Sequence, residues 1–166
     1  MTTARILVDP ALCSGCRACE VACSFGHEGA FGPGLARIRV VKVEEEGYDR
    51  PVVCHQCRRP PCAQACPTGA LTRDEAAGRL SLDDAACIGC GACVEACPFG
   101  AMRLHPDTEQ AMFCDLCGGD PACVKRCTPG AIFWGREEDF ARRLSEARAR
   151  REAGDWWSGA EEGGRQ

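Results

Sequence analysis

Sixteen cysteines stand in four groups of four, and this spacing limits what the chain can fold into more than any other feature. The groups are Cys13, Cys16, Cys19 and Cys23; Cys54, Cys57, Cys62 and Cys66; Cys87, Cys90, Cys93 and Cys97; and Cys114, Cys117, Cys123 and Cys127. The first and third follow C-x2-C-x2-C-x3-C. The second and fourth widen the middle gap to four and five residues and keep the final x3. The text after three of the groups repeats too, as CPTGAL, CPFGAM and CTPGAI. Such self-similarity marks a chain built from repeated units. Here each unit is a cysteine loop followed by a short apolar run.

The redox setting decides what dense cysteine means. In a short secreted chain it reads as a disulfide scaffold. The start, MTTARILVDPALCSGC, has no apolar run of signal length and no paired arginines, so a cytoplasmic setting with reduced thiols is expected. No apolar run nears the length of a membrane span. Large apolar side chains are few, with 6 Phe, 3 Trp and 3 Met in 166 residues. A carbon core would be thin, so something else must help to hold the fold.

Three cysteines at x2 steps put three thiolates on one tight loop, a size that can wrap three corners of an iron–sulfur cubane. Proline follows the last cysteine of groups two and three, as Pro67 and Pro98. Proline biases the residue before it away from helix, so the chain is expected to turn there and aim the fourth thiolate elsewhere. Pro60 and Pro61 stiffen the longer second loop so that it still presents Cys62. In bacterial two-cluster ferredoxins the run C-x2-C-x2-C-x3-C-P sends its fourth cysteine to the other cluster. Structural zinc combines two cysteine pairs across a longer spacer, and a thioredoxin-like site needs one pair. Neither suits four quartets.

On these motifs the chain resembles the four-cluster ferredoxin-like electron-transfer subunits of molybdenum and tungsten oxidoreductases. That family includes small subunits of dimethyl sulfoxide reductase, formate dehydrogenase and carbon monoxide dehydrogenase systems. CHQCRRPPCAQACPTGA and CIGCGACVEACPFGA carry the likeness in groups two and three. FCDLCGGDPACVKRCTPGAI is similar to versions that accompany tungsten-dependent aldehyde oxidoreductases and benzoyl-coenzyme A reductases. The resemblance covers residues 5 to about 135 and departs at Ser24 and Thr128, which stand where proline is expected.

The resemblance implies an α+β fold of nested two-cluster ferredoxin-like units within residues 1–136. Residues 54–105 form the inner unit, and 5–35 with 112–135 the outer one. It implies four [4Fe-4S] clusters. Their ligands would be Cys54, Cys57, Cys62 and Cys97; Cys87, Cys90, Cys93 and Cys66; Cys13, Cys16, Cys19 and Cys127; and Cys114, Cys117, Cys123 and Cys23. It implies a non-catalytic relay between a tungsten- or molybdenum-pterin subunit, aldehyde oxidoreductase-like, and a flavin subunit or ferredoxin. The rival readings are an independent soluble ferredoxin, a relay in a formate dehydrogenase, carbon monoxide dehydrogenase or hydrogenase complex, and a structural metal-binding protein.

The remaining text is read coarsely. ARILVD and ARIRVVKVEE read as strands, and GALTRDEAAGRLSLDD and GAMRLHPDTEQAMFC as hairpins. CVEAC and CVKRC read as short helices, and SFGHEGAFGPGLA as a surface loop. Residues 137–166 break the repeat, with Phe140, Leu144 and Ala147 at helical spacing. This segment either packs on its own domain or serves as a docking arm anchored by Trp156 and Trp157. His55 is expected to pack or hydrogen-bond beside its group rather than bind iron. His27 and His105 are placed in loops without a role. Arg58, Arg59, Lys125 and Arg126 flank the cysteine loops, where positive charge would raise a cluster's potential or simply aid solubility.

Charge and size narrow the partners. The net charge is -4, and four oxidised clusters would carry it to about -12. Nucleic acid, which needs a basic face, is disfavoured. A chain this long has a radius of gyration of roughly 15 Å, so four clusters inside it sit on the order of 10 Å apart. Four sites that close suit a wire with a partner at each end, and copies of the chain stacked end to end would extend it.

Overall fold

The computed structural model describes residues 4–158, with side chains described up to residue 150. Among the described residues, eight short strands pair as four antiparallel two-stranded sheets. Strand β1 (Arg5–Val8) pairs with β8 (Ile132–Gly135), placing Arg5 opposite Gly135 and Val8 opposite Ile132. The other three sheets are hairpins: β2 (Arg39–Val43) with β3 (Tyr48–Val52), β4 (Leu71–Asp74) with β5 (Arg79–Leu82), and β6 (Arg103–Leu104) with β7 (Ala111–Met112). The strands expected from the sequence form. β3 adds a partner for β2, across a turn at Gly47 with φ 66°.

Each cysteine group leads into a helix. These are α1 (Ala18–Glu28), α2 (Pro61–Gln64), α3 (Ala92–Glu95) and α4 (Ala122–Lys125). In every case the third cysteine is the second residue of the helix: Cys19, Cys62, Cys93 and Cys123, all buried. Pro61 occupies the first helical position, where its missing N–H costs nothing and its φ is already suitable. Pro60 before it is extended, at φ -74° and ψ 113°, and Pro121 holds the same place before α4. The stiffening prolines of the long second loop are therefore helix-start devices.

Helices α2, α3 and α4 stop after one turn, before Cys66, Cys97 and Cys127. Gly69, Gly100 and Gly130 then take φ of 70°, 60° and 72° and turn the chain outward. All three glycines come from the repeated PTGA, PFGA and TPGA text. α1 behaves differently and corrects the sequence reading. SFGHE, expected in a loop, is helical as far as Glu28. Ser24 is not proline, so nothing ends the helix at Cys23. Ser24 is fully buried instead, bonding Val21 O at 3.2 Å and accepting from Gly32 N at 3.3 Å.

Helix α1 packs on α4, and α2 on α3. The apolar core runs through Ile6, Ile38, Val40, Leu71, Leu80, Met102 and Ile132 and is interleaved with Cys19, Cys23, Cys54, Cys62, Cys93, Cys114 and Cys123. Sulfur thus lies within the core itself, as the scarcity of large apolar side chains requires.

A last helix, α5 (Glu137–Ser158), follows β8. Phe140 stacks on Phe133 with centroids 5.9 Å apart, Arg143 lies 5.2 Å over the same ring, and Arg5 pairs with Glu137. Phe140, Leu144 and Ala147 are the half-buried residues expected from their spacing. The side chains of Trp156 and Trp157 lie outside the described residues. Among the described residues no helix is long and apolar enough to cross a membrane.

Candidate metal centres

The four C-x2-C steps share one backbone device. The residue just before each second cysteine is left-handed: Gly15 at φ 66°, Gln56 at 51°, Gly89 at 67° and Leu116 at 67°. Glycine accepts this freely, and it stands there in groups one and three. Gln56 and Leu116 must be held by their surroundings, since the conformation costs an ordinary residue roughly 1–2 kcal/mol.

Gln56 shows how. It is 6% exposed. Its Nε2 donates to Cys114 O at 2.6 Å, and its Oε1 accepts from Leu80 N at 2.8 Å. One side chain therefore ties the second cysteine loop to the fourth and to β5. Arg73 donates to the carbonyls of Gln56 and Cys57 at 3.1 and 2.8 Å. Leu116 is buried in the core, and Asp115 accepts the Cys117 N–H at 3.1 Å.

The sulfurs meet across groups. Cys54 and Cys62 lie in the charge field of Cys57 and of Cys97 from the next group. Cys93 feels Cys87, Cys90 and Cys66. Cys13 feels Cys16 and Cys127, and Cys19 feels Cys13 and Cys127. Cys123 feels Cys23 and Cys117, while Cys114 feels Cys123 and Cys23. Cys123 also feels Cys19, and Cys114 also feels Cys54, so sulfurs of different groups lie near one another throughout. Two small cavities, each of about 20 Å³, open among them. One is lined by Cys54, Cys57, Cys62 and Cys97 with Pro60 and Met102. The other is lined by Cys66, Cys87, Cys90 and Cys93 with Leu82 and Leu104.

The donor chemistry fits a cationic inorganic core. All 16 cysteines are free thiols. Burial pushes the Cys19, Cys54 and Cys123 thiols up to about 12 and Cys62 to about 11. It raises Cys13, Cys23, Cys93 and Cys117 as well, and Cys114 well above its ordinary value. A buried thiolate at such positions needs a cation beside it, and metal ligands must be thiolates. Cys66 goes the other way, lowered to about 7 by the Leu71 N–H and the Thr68 hydroxyl.

Hydrogen-bond donors are already aimed at several sulfurs. Arg37 N donates to Cys23 Sγ at 3.2 Å, and Ala101 N to Cys97 Sγ at 3.4 Å. His55 stacks flat on Phe99 at 3.9 Å, the packing role expected of it. His27 corrects the reading that it lies idle in a loop. It sits on α1, with Nε2 3.5 Å from Cys117 Sγ and 3.4 Å from Asp115 Oδ1. The legible signal was Cys23 and His27 four apart on one helix. Gln56 carried no such signal.

Two 4Fe-4S family models match the chain. A 4Fe-4S dicluster domain spans residues 47–137, and a 4Fe-4S binding domain spans residues 10–26. The chain belongs to the 4Fe-4S dicluster domain family. Among curated relatives, the polyferredoxin-like subunit of an aliphatic sulfonate oxidoreductase from Pyrococcus furiosus is 48% identical, over 74% of this chain and 70% of its own length. The thiosulfate reductase electron transfer subunit PhsB of Salmonella typhi is 36% identical, over 81% and 76%. An iron-sulfur protein of Rhodospirillum rubrum is 37% identical, over 87% and 88%.

Proposed function

We propose that this chain is the iron–sulfur electron-transfer subunit of an oxidoreductase complex and relays electrons without acting on the substrate itself. The observation that carries this is the approach of cysteines from different groups, with Cys97 lining one cavity beside Cys54, Cys57 and Cys62, and Cys66 lining another beside Cys87, Cys90 and Cys93. Bound [4Fe-4S] clusters supply reversible one-electron oxidation and reduction. The chain's own residues hold them, keep water away and set their charge environment.

The ligand sets in this reading are Cys66, Cys87, Cys90 and Cys93; Cys54, Cys57, Cys62 and Cys97; Cys23, Cys114, Cys117 and Cys123; and Cys13, Cys16, Cys19 and Cys127. In this reading that is also their order along the wire. Cys114 feels Cys54 and Cys123 feels Cys19, which supports placing the second set beside the third and the third beside the fourth. Cys90 and Cys16, in the two end sets, are the exposed cysteines. Each end thus brings a ligand to the surface, where a partner can exchange electrons. The pairing of β1 with β8 and of α1 with α4 supports an outer unit closed around an inner one.

The partner at one end is, in this reading, a tungsten- or molybdenum-pterin subunit of aldehyde oxidoreductase type, and at the other a flavin subunit or ferredoxin. The relatives' names carry different substrates, an aliphatic sulfonate and thiosulfate. That fits a relay whose residues never touch substrate. The test is anaerobic purification with iron, sulfide and zinc analysis. About 16 irons per chain, with paramagnetic signals on reduction, are expected; zinc in place of iron ends the proposal. Cys97→Ala should then remove iron from the Cys54 site and leave the Cys87 site loaded. Tungsten or molybdenum in a copurifying large subunit tests the partner.

A further inference from the structure

The contact between α1 and the fourth cysteine loop has a chemistry of its own. Cys23 and His27 are four residues apart on α1, so they share a face. Both reach the same loop. Cys23 lies in the charge field of Cys117, and His27 Nε2 lies 3.5 Å from Cys117 Sγ. Among the described residues, His27 is the ring nitrogen that reaches a cysteine sulfur. Its side chain is 16% exposed, so water competes weakly for the contact.

Cys117 itself is held tightly. Leu116, Cys117 and Gly118 are consecutive left-handed residues, at φ 67°, 48° and 63°. The Cys117 N–H is bonded to Asp115 Oδ1 at 3.1 Å, and the same oxygen lies 3.4 Å from His27 Nε2. The ring nitrogen therefore faces two acceptors. A metal-bound thiolate offers only lone pairs. It selects the form of the ring that carries a proton on Nε2, whether the ring is charged or neutral. The reach depends on the extra turns of α1 beyond Cys23. α2, α3 and α4 end before their fourth cysteine and have no counterpart of His27.

We propose that His27 is a positioning residue for the site of Cys23, Cys114, Cys117 and Cys123: its Nε2–H donates to Cys117 Sγ and raises that site's reduction potential above what the four sulfurs alone would set. This rests on the four-site reading given above. An electron arriving there adds one negative charge, spread partly onto the ligand sulfurs. A donor aimed at one of them stabilises the reduced state more than the oxidised one. Only the difference in that hydrogen bond between the two oxidation states counts. The expected effect is about tenfold in the reduction equilibrium, which for one electron is ~59 mV.

The test uses the full chain, purified anaerobically with its iron, titrated potentiometrically and read by electron paramagnetic resonance. In His27→Phe, one reduction step should move to lower potential by about tenfold in its equilibrium, with the other steps in place and the iron content of wild type retained. His27→Gln keeps an N–H donor and should recover part of the shift. In wild type labelled with ¹⁵N-histidine, a weak nitrogen coupling to one reduced site, lost in His27→Gln, is expected. Unchanged steps in an iron-replete His27→Phe overturn the proposal. So does strong nitrogen coupling, or selective loss of that site's iron in both variants, because either makes His27 a ligand. The wild-type iron count reports separately on the underlying reading. A chain without iron at Cys117 overturns that reading first, and the role of His27 with it.

Discussion

Gln56→Leu is the substitution that most directly tests how the cysteine loops are held together. The side chain is buried and makes two hydrogen bonds, at 2.6 Å to Cys114 O and 2.8 Å to Leu80 N. Leucine is of similar size but pairs with neither. Both backbone groups belong to buried residues, with Leu80 4% and Cys114 6% exposed. Each unpaired buried group costs about 1–3 kcal/mol, so the loss of two partners is expected to cost about 2–6 kcal/mol. Leucine also loses the contacts that hold φ at 51°. Loss of bound iron on unfolding would make the process irreversible, so the readout is a rate. The assay is anaerobic release of iron to a chelator in moderate denaturant. At ~1.4 kcal/mol per factor of ten, release should be at least tenfold faster than in wild type. Gln64→Leu, at an exposed position on α2, is the control and should lie within about 0.5 kcal/mol of wild type. Equal release rates for Gln56→Leu and Gln64→Leu, at equal iron content, would refute the reasoning.

Three further outcomes are expected. Gly89→Ala puts a Cβ 2.8 Å from Glu109 O at φ 67°, whereas Gly91→Ala, at φ 77°, meets nothing within 4 Å; both carry the left-handed cost of about 1–2 kcal/mol, and only Gly89→Ala should also strip iron from the Cys87 site on purification. Ser24→Pro should end α1 near Cys23 at a cost of about 3 kcal/mol or more, seen as lost helical circular dichroism and accelerated iron release. Phe140→Ala removes the stack on Phe133 and about 0.5–1.5 kcal/mol beyond the lost area; it should leave the iron count unchanged while making α5 easier to cleave by protease.

The local units were legible because their causes are local. Proline at the start of α2, glycine in C-x-G-C and glycine after each short helix are conformational needs that a few residues meet by themselves. The hairpins followed from alternating apolar residues around polar turns. SFGHE reads as loop because glycine-rich text follows Cys23, while the helix is held by the burial of Ser24, a contact with no local signature. Gln56 went unnoticed for a related reason. A left-handed glutamine is unfavourable in isolation and is sustained by partners 24 and 58 residues away.

What the amino-acid order determined by itself was the set of four sulfur loops, the helix each one enters and the soft-metal chemistry they invite. Those depend on spacing, proline and glycine, which act within a few residues. Tertiary structure alone decided that Cys97 comes beside Cys54, Cys57 and Cys62, that β1 closes on β8, and that His27 reaches Cys117. Those are long-range contacts, and they exist because burying the thin apolar core forces α1 onto α4 and α2 onto α3.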